Sequence, residues 1–436
     1  MSYFHGRSTT TFAFFMFAIG LVLGNIVILS IALVQVIFLI ISLSIPQPKK
    51  ISFKRERVET QASVGHIIER NISIYAEKGI GLIIVNDVIP EEFDLIEGSN
   101  YKAFLKLLRP LEAKMEYKIA CTKRGEYPLL SPLYESRHLL NVRVADKGGG
   151  EKEGTFVVRP RPINIRRILS LKTLSTIPLP LGSIAKGGLP TTDFRELREY
   201  SYGDPYNFIN WKATARLGSR GTTSSPYVNV FEKEGRKVVW LILDVSPSMS
   251  LGTSVRSALD YAVEAADALS RFYLERGCSV GLYVCTEDGL IIPPDTGRRQ
   301  YMIILRELIR AQTGYGSQPI TTTIERCGAY SAGANPLFII LTSITKASAP
   351  SIVQGIREAR KYSKSLRVGH HAIVVDVNPY SLISSDPEGR LASKMLRILT
   401  AQEALAIRRL GAMLVRWDPM ERSFSELMLK GLRVLK

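Results

Sequence analysis

The chain has 436 residues, a net charge of +17 and 46% hydrophobic residues, which is enough for two or three folded domains with apolar cores. Its four cysteines, at positions 121, 278, 285 and 327, include no C-x-x-C pair. This spacing argues against a zinc ribbon and a disulfide framework, and it indicates thiols of a reducing compartment. No zinc finger, helix-turn-helix or RNP-like aromatic pattern accompanies the basic charge, so we expect no nucleic-acid partner.

The first 48 residues predict a membrane anchor. Residues 8–45 contain no charged side chain, and about 20 helical residues suffice to cross the hydrocarbon core of a bilayer. Gly24 and Asn25 interrupt this stretch with a pair typical of a helix break. We therefore predict a transmembrane hairpin of two helices, at 9–23 and 26–45. A single long tilted helix is the alternative.

Basic residues close to the end of this segment predict its orientation. Lys49, Lys50, Lys54, Arg55 and Arg57 follow the last apolar residue, and such flanks stay on the cytoplasmic side. The sequence thus predicts a multi-pass protein of the cell membrane with cytoplasmic soluble domains. Anionic membrane lipid is then the expected partner of the basic surface.

Residues 49–160 alternate apolar and polar side chains in short runs separated by turn residues, which is typical of a β-sandwich-like domain. We predict strands at 67–75, 81–87 and 139–144. Residues 161–190 are basic and contain Pro and Gly at positions that oppose helices and strands, so we interpret them as a linker.

Within the remaining segment, 191–436, apolar runs alternate with helical patterns. Strands are predicted at 238–243, 279–285, 337–342, 370–376 and 412–416, with helices at 257–269, 299–312, 351–363 and 391–410. Alternating strands and helices indicate βαβ units, and hence an α/β doubly wound parallel sheet.

The residues after the first of these strands carry the clearest chemical signal. Asp244, Ser246 and Ser248 form the pattern D-x-S-x-S at the carboxyl end of a buried strand. Hard oxygen ligands at such an edge suit Mg²⁺. The alternative is that Asp244 and Ser246 cap the next helix. On either interpretation we expect a loop at the sheet edge, where replacing Asp244 has little effect on stability.

The motifs around this loop resemble a known family. Four of them follow one another in the order R-E-Y-x-x-G-D, I-N-W-K-A-T-A-R, F-E-K-E and D-x-S-x-S-M. This order is similar to that of the prokaryotic membrane proteins called domain of unknown function 58, whose C-terminal half is a von Willebrand factor A-like domain. The matching residues are Arg198, Tyr200, Gly203, Asp204, Asn210, Trp211, Arg216 and Glu232.

The resemblance implies a metal-ion-dependent adhesion site. In such domains a threonine of a second loop completes the ligand set, and Thr322 is the best candidate by similarity, with Thr321 or Ser317 as alternatives. A later aspartate also contributes, but Ser343 stands at the position expected to be Asp. We therefore expect at most a weak Mg²⁺ site, or one that a partner carboxylate completes.

Arg198, Arg216 and Asp204 are interpreted as an ion-pair network that holds the motif segment on the A-like domain. Phosphate binding by the two arginines is the alternative, because guanidinium groups suit bidentate recognition of oxyanions.

The sequence favours a binding module over an enzyme. It lacks a G-x-S-x-G elbow and a P-loop, and no histidine stands where it could activate a serine. The resemblance implies an adaptor or assembly factor that works with a MoxR-type AAA+ ATPase. An outward-facing adhesion protein and an unrecognised hydrolase are the alternatives.

Overall fold

The computed structural model describes residues 4–56, 59–140, 143–163, 190–201, 206–218, 225–233, 237–253, 255–314, 316–331, 335–362, 371–383 and 386–430. The chain divides into two compact units, Met1–Arg161 and Pro162–Lys436. Most of the predicted linker lies outside the described residues, and so do Gly203 and Asp204 of the family motif.

Two helices begin the chain, α1 at Phe4–Val22 and α2 at Ile26–Ser44. Gly24 separates them with a φ of 56°, which an L side chain rarely adopts. Asn25 then caps α2, since its Oδ1 accepts a hydrogen bond from the Val27 N–H at 3.0 Å. Among the described residues, α2 is the helix whose length and apolar composition suffice to cross a membrane. The second span and the side of the soluble domains remain predictions.

The rest of the first unit consists of β-strands. They are β1 Lys49–Arg55, β2 Gln61–Ser63, β3 Ile67–Lys78, β4 Gly81–Asn86, β5 Phe93–Gly98, β6 Tyr101–Lys106, β7 Leu111–Cys121, β8 Gly125–Leu130, β9 Leu133–His138, β10 Asp146–Gly148 and β11 Lys152–Arg159. They form three sheets in the orders β1-β3-β7-β5, β10-β9-β4-β6 and β2-β11-β8. Side chains of all three sheets contribute to one apolar core, which includes Ile72, Ile83, Met115 and Phe156.

The prediction of a strand at 139–144 is wrong. The strand that pairs with β4 ends at His138, and Leu139, Leu140 and Val144 beyond it are exposed. Residues 141 and 142 of the predicted strand lie outside the described residues. Strand β9 aligns Ser136 and His138 with the inward side of its sheet.

The second unit contains β12 Pro190–Glu199, α3 Trp211–Gly218, β13 Tyr227–Lys233, β14 Val238–Leu243, α4 Ala258–Glu275, β15 Ser279–Val284, β16 Leu290–Asp295, α5 Gly297–Arg310, α6 Ile320–Ala329, β17 Leu337–Thr342, α7 Ala349–Tyr362, β18 Ala372–Val377, α8 Tyr380–Ile383, α9 Pro387–Leu399, α10 Ala401–Arg409, β19 Met413–Trp417 and α11 Phe424–Lys430. The helix predicted at 391–410 is therefore divided at Thr400, where α9 ends and α10 begins.

Six strands of this unit form a mixed sheet in the order β16-β15-β14-β17-β18-β19. Five of them are parallel, as predicted, but β16 is antiparallel to β15. Only residues 285–289 join these two strands, and so short a connection cannot cross over to a parallel strand. The sequence analysis did not predict β16, because this strand contains Pro293 and Pro294. Within a sheet, proline is tolerated only at an edge or a bulge.

Helices cover both faces of the sheet, as an α/β fold requires. Leu241 and Leu243 of β14 face a core formed with α4 and α5. Trp240 and Ile242 point to the opposite face, where α6, α7 and α10 pack. Because β14 lies between β15 and β17, all six of its side chains are buried.

Candidate functional site at the carboxyl edge of the sheet

Polar residues form a row across the carboxyl ends of the central strands. In the register of the sheet, Leu243 is opposite both Val284 and Leu341, so the next residues along β14, β15 and β17 are also neighbours. Thr342 is in turn opposite Asp376, and Asp376 is opposite Arg416. The row is therefore Cys285, Asp244, Thr342, Asp376 and Arg416. Alternate residues of a strand point to the same face of a sheet. The members of the row therefore lie on the face of Trp240 and Ile242, which α6 and α7 cover.

Asp244 is the buried base of the loop and not an exposed edge residue. It is 5% exposed. One carboxylate oxygen, Oδ1, accepts a hydrogen bond from the Ser246 N–H at 2.8 Å, and Oδ2 accepts one from the Thr342 hydroxyl at 2.6 Å. The premise that Asp244 lies at an exposed edge is therefore wrong, and we now expect its replacement to destabilise the loop, because the Ser246 N–H and the Thr342 hydroxyl lose this acceptor.

Ser246 precedes a short 3₁₀ turn, Pro247–Ser250, and Ser248 is part of that turn. Both are partly exposed, and their hydroxyl oxygens are 2.9 Å apart. Neighbouring ligands of an octahedral Mg²⁺ at 2.0–2.1 Å are also separated by about 2.9 Å. The two hydroxyls, which hydrogen-bond to each other, therefore have a spacing that also fits adjacent positions on one Mg²⁺, and Asp244 would supply the charge.

The second loop reaches this turn through its backbone. The Gly314 N–H donates to the Val245 carbonyl at 2.9 Å. Of the threonines that follow, Thr321 donates to the Ser351 carbonyl and Thr323 to the Pro319 carbonyl, each at 3.2 Å. Thr322, the candidate ligand, lies half-buried between them in the first turn of α6. Ser317 is also half-buried, in the loop before that helix.

Ser343 stands at the position expected to be Asp, but its side chain does not donate the hydrogen bond that Asp244 Oδ2 accepts. That bond comes from its neighbour Thr342, whereas the Ser343 carbonyl accepts from the Ser348 hydroxyl at 3.1 Å. Within the described residues, no three His, Cys, Asp or Glu side chains are grouped so that they could hold a metal ion. A metal at this edge would therefore depend on hydroxyl ligands and on Asp244.

A second aspartate in the row, Asp376, was not recognised from the sequence. Its Oδ1 accepts a hydrogen bond from the Ile344 N–H at 2.9 Å, and its Oδ2 is 3.8 Å from Arg416 Nε. Burial raises the pKa of Asp376. The carboxylate therefore fixes the loop after β17. The signal that could have found it is its position at the end of a predicted strand.

Cys285 completes the row next to Asp244. Its Sγ is 3.6 Å from the Thr323 hydroxyl of α6. Burial, together with the nearby charge of Asp244, raises the pKa of this thiol to about 12. Because the thiolate is the nucleophilic form, Cys285 is an inert core residue at neutral pH.

The family motif builds a separate strand–helix element. Asn210 caps α3, because its Oδ1 accepts from the Ala213 N–H at 2.9 Å, while its Nδ2 donates to Asn229 Oδ1 of β13 at 2.9 Å. Thr214 ties the helix to the same strand by accepting from the Tyr227 N–H. Trp211, at the start of α3, is 67% exposed.

Other members of the motif lie on or near the same element. The rings of Tyr200 and Tyr206 stack with centroids 6.0 Å apart. Arg198, on β12, donates to the Glu199 carbonyl at 3.3 Å, and Arg216 is exposed on α3. Glu232 is part of β13. The predicted network with Asp204 lies outside the described residues.

Comparison with known proteins agrees with these motifs. Residues 196–363 match the family described as protein of unknown function DUF58. The resemblance to this family is confirmed over these residues. They include every motif quoted above and the D-x-S-x-S loop.

Similar proteins have been found in mycobacteria. Uncharacterised proteins of Mycobacterium bovis and Mycobacterium tuberculosis are each 28% identical to this chain over 120 residues, which is 27% of this chain. The match spans 36% of the length of these relatives. Among solved structures, a von Willebrand factor type A protein from Catenulispora acidiphila is similar with a TM-score of 0.27 and 15% identity, over 46% of this chain and 44% of that one.

Proposed function

We propose that the second unit is a protein-interaction module, and that the turn Ser246–Ser248 is its recognition surface. The observation that carries the proposal is the combination of accessible hydroxyls and a buried carboxylate in one loop. Two partly exposed hydroxyls are 2.9 Å apart, and the two oxygens of the nearby Asp244 carboxylate are held by the Ser246 N–H and the Thr342 hydroxyl. Such a rigid surface loses little conformational entropy on binding.

The ligand that best fits this surface is a carboxylate of a partner protein. Two hydroxyl donors can bind it directly, or Mg²⁺ can bridge it to Asp244 and the two serines. One protein carboxylate holds Mg²⁺ weakly, and a second carboxylate from the partner would improve the site. The partner thus completes the ligand set that Ser343 leaves without its aspartate.

In the cell, we propose that the protein is a membrane-anchored, cytoplasm-facing adaptor or assembly factor for a MoxR-type AAA+ ATPase. The apolar helix α2 supports the anchor, and the basic residues after it support the orientation. The ATPase partner follows from the resemblance to the family. An adaptor needs no catalytic base, so the proposal also accounts for the structural roles of Asp244 and Cys285.

The test is crosslinking pull-down of the full-length protein from native membranes, scored for a co-purifying AAA+ ATPase. The variant Ser246→Ala, Ser248→Ala removes both hydroxyls, and two lost hydrogen bonds should reduce recovery about ten-fold. Ser250→Ala is the matched control, because this exposed serine belongs to the same turn but donates to the Pro247 carbonyl. Unchanged recovery with the double variant would contradict the proposed surface.

A chelator distinguishes the two forms of recognition. If Mg²⁺ bridges the partners, EDTA reduces wild-type recovery to that of the double variant, and added Mg²⁺ restores it. If the hydroxyls bind the carboxylate directly, EDTA has no effect on the wild type while the double variant stays impaired.

A further inference from the structure

The first unit, Met1–Arg161, buries an arginine on the inward face of one of its β-sheets. Arg70 of β3 lies between Ile68 and Ile72, which belong to the apolar core, and is only 8% exposed. Removing a charged group from water costs several kcal/mol unless an opposite charge compensates for it. The surroundings of Arg70 therefore decide whether this charge has a partner within the chain.

Asp87, which lines the same cavity as Arg70, pairs with another arginine. Arg55 is 3.0 Å from Asp87 Oδ1 and 2.6 Å from Glu153 Oε2, and it donates to the Leu130 carbonyl at 2.6 Å. The other oxygen of Asp87 accepts from the Tyr117 hydroxyl. Burial and the charge of Asp87 raise the pKa of Tyr117, so the phenol stays protonated and continues to donate.

Arg70 itself has a ring as its partner. Its guanidinium carbon is 5.6 Å from the centroid of the Phe156 ring. Among the described residues, no carboxylate forms an ion pair with it. A cation–π contact offsets only part of the cost of burying a guanidinium. Glu153 balances the formal charge of this cluster, but it pairs with Arg55 and is 43% exposed, so Arg70 is the buried cation that has no carboxylate paired with it.

Two buried arginine donors of this cluster have no acceptor. The Nε atoms of Arg55 and Arg70 are both buried, and neither has a hydrogen-bond partner in the described part of the chain. Both arginines line one cavity of about 20 Å³, together with Asp87, Tyr117 and Phe156. Buried N–H groups of charged side chains are rarely left unsatisfied. The two arginines that carry these donors thus meet at one cavity.

We propose that this cavity binds a small monovalent anion, with chloride as its simplest representative. A cavity of roughly 10–15 Å³ holds one water molecule, so the space here suits an occupant about as large as a halide and excludes phosphate or sulfate. The anion accepts from the two Nε–H groups and neutralises Arg70. The inference does not depend on the function proposed for the second unit.

The test uses the full-length protein in detergent micelles, with gluconate replaced stepwise by chloride at constant ionic strength. Hydrogen exchange is followed by mass spectrometry in peptides from β3 and β7, which carry Arg70 and Tyr117. If local opening releases the anion, exchange slows by a factor of one plus the ratio of chloride to its dissociation constant, or about six-fold at a five-fold excess. Broadening of the ³⁵Cl NMR line that saturates over the same range provides a measurement that needs no variant.

Arg70→Met removes the charge and keeps the bulk of the side chain. A buried ionic group can often be replaced by a hydrophobic one without loss of stability, so this variant should fold in gluconate and show no chloride dependence. Arg137→Met is the matched control, because Arg137 is an exposed arginine of the same unit, paired with Glu135. It should retain the six-fold slowing. Equal exchange of the wild type in chloride and gluconate, or a chloride effect that persists in Arg70→Met, would overturn the proposal.

Discussion

At the level of single residues, Asp244 and the two serines have separate roles. Asp244 accepts two hydrogen bonds from within the chain and shapes the turn, whereas Ser246 and Ser248 remain accessible. A variant at Asp244 would therefore combine a loss of binding with a loss of stability. The serines are the better residues for testing recognition, because truncating a partly exposed hydroxyl usually has little effect on the fold.

The buried thiol of Cys285, next to this site, predicts that the free energy of unfolding depends on pH. In the folded protein the pKa of Cys285 is raised to about 12, primarily by burial, whereas an unfolded chain has a cysteine pKa of about 8.5. Above the unfolded value only the unfolded state releases the proton. The stabilisation is thus fully present below about pH 8.5 and is lost progressively as the pH rises toward 12, by about 1.4 kcal/mol per pH unit.

The measurement is urea unfolding between pH 8 and 11, followed by tryptophan fluorescence. All three tryptophans lie in the second unit, so the signal reports on the unit that contains Cys285. Cys285→Ala should reduce the slope of unfolding free energy against pH by about 1.4 kcal/mol per pH unit. Cys121→Ala, in the other unit, should leave that slope unchanged. Equal slopes in all three proteins would refute the role assigned to Cys285.

At the level of elements, the family motif stabilises the short helix α3 on the strand β13. Helices of eight residues are not stable by themselves in water, so α3 depends on its cap and on its contacts. Asn210 supplies both, since one side-chain atom caps the helix and another binds Asn229. The I-N-W-K-A-T-A-R motif therefore has a structural role: it holds α3 on β13 and leaves Trp211 exposed to solvent.

Loss of this cap should destabilise the helix locally. We expect Asn210→Ala to cost about 1 kcal/mol, the usual effect of removing a capping side chain. Amide exchange in Trp211–Gly218 should then be about five-fold faster. Lys212→Ala, an exposed change in the same helix, is the control and should leave exchange unaltered. If both variants exchange like the wild type, Asn210 does not hold the helix.

At the level of the whole molecule, the prediction concerns the side of the membrane on which the two units lie. Positive flanks after α2 predict the cytoplasm. Protease added to sealed, right-side-out cells should therefore leave residues 51–436 intact, while the same protease should digest them after the membrane is opened with detergent. Digestion in intact cells would reverse the orientation and would favour an outward-facing adhesion protein.

The sequence alone determined the features that depend on local patterns. The helix break at Gly24 and Asn25, the buried strand before Asp244 and the alternation of strands and helices all follow from the order of apolar, turn and capping residues. The apolar pattern of a segment follows from the face that it buries, and for this reason α2 and β14 were predicted close to their observed bounds.

Tertiary structure alone decided which distant residues became neighbours. Thr342 and Asp376 joined Asp244 in one row because β17 lies between β14 and β18 in the sheet, which local periodicity does not record. The same applies to the antiparallel edge strand β16, whose prolines conceal it, and to Arg70, which looks like one polar position of an alternating strand. Burial depends on strand order and on the packing of whole layers, and these are properties of the folded chain.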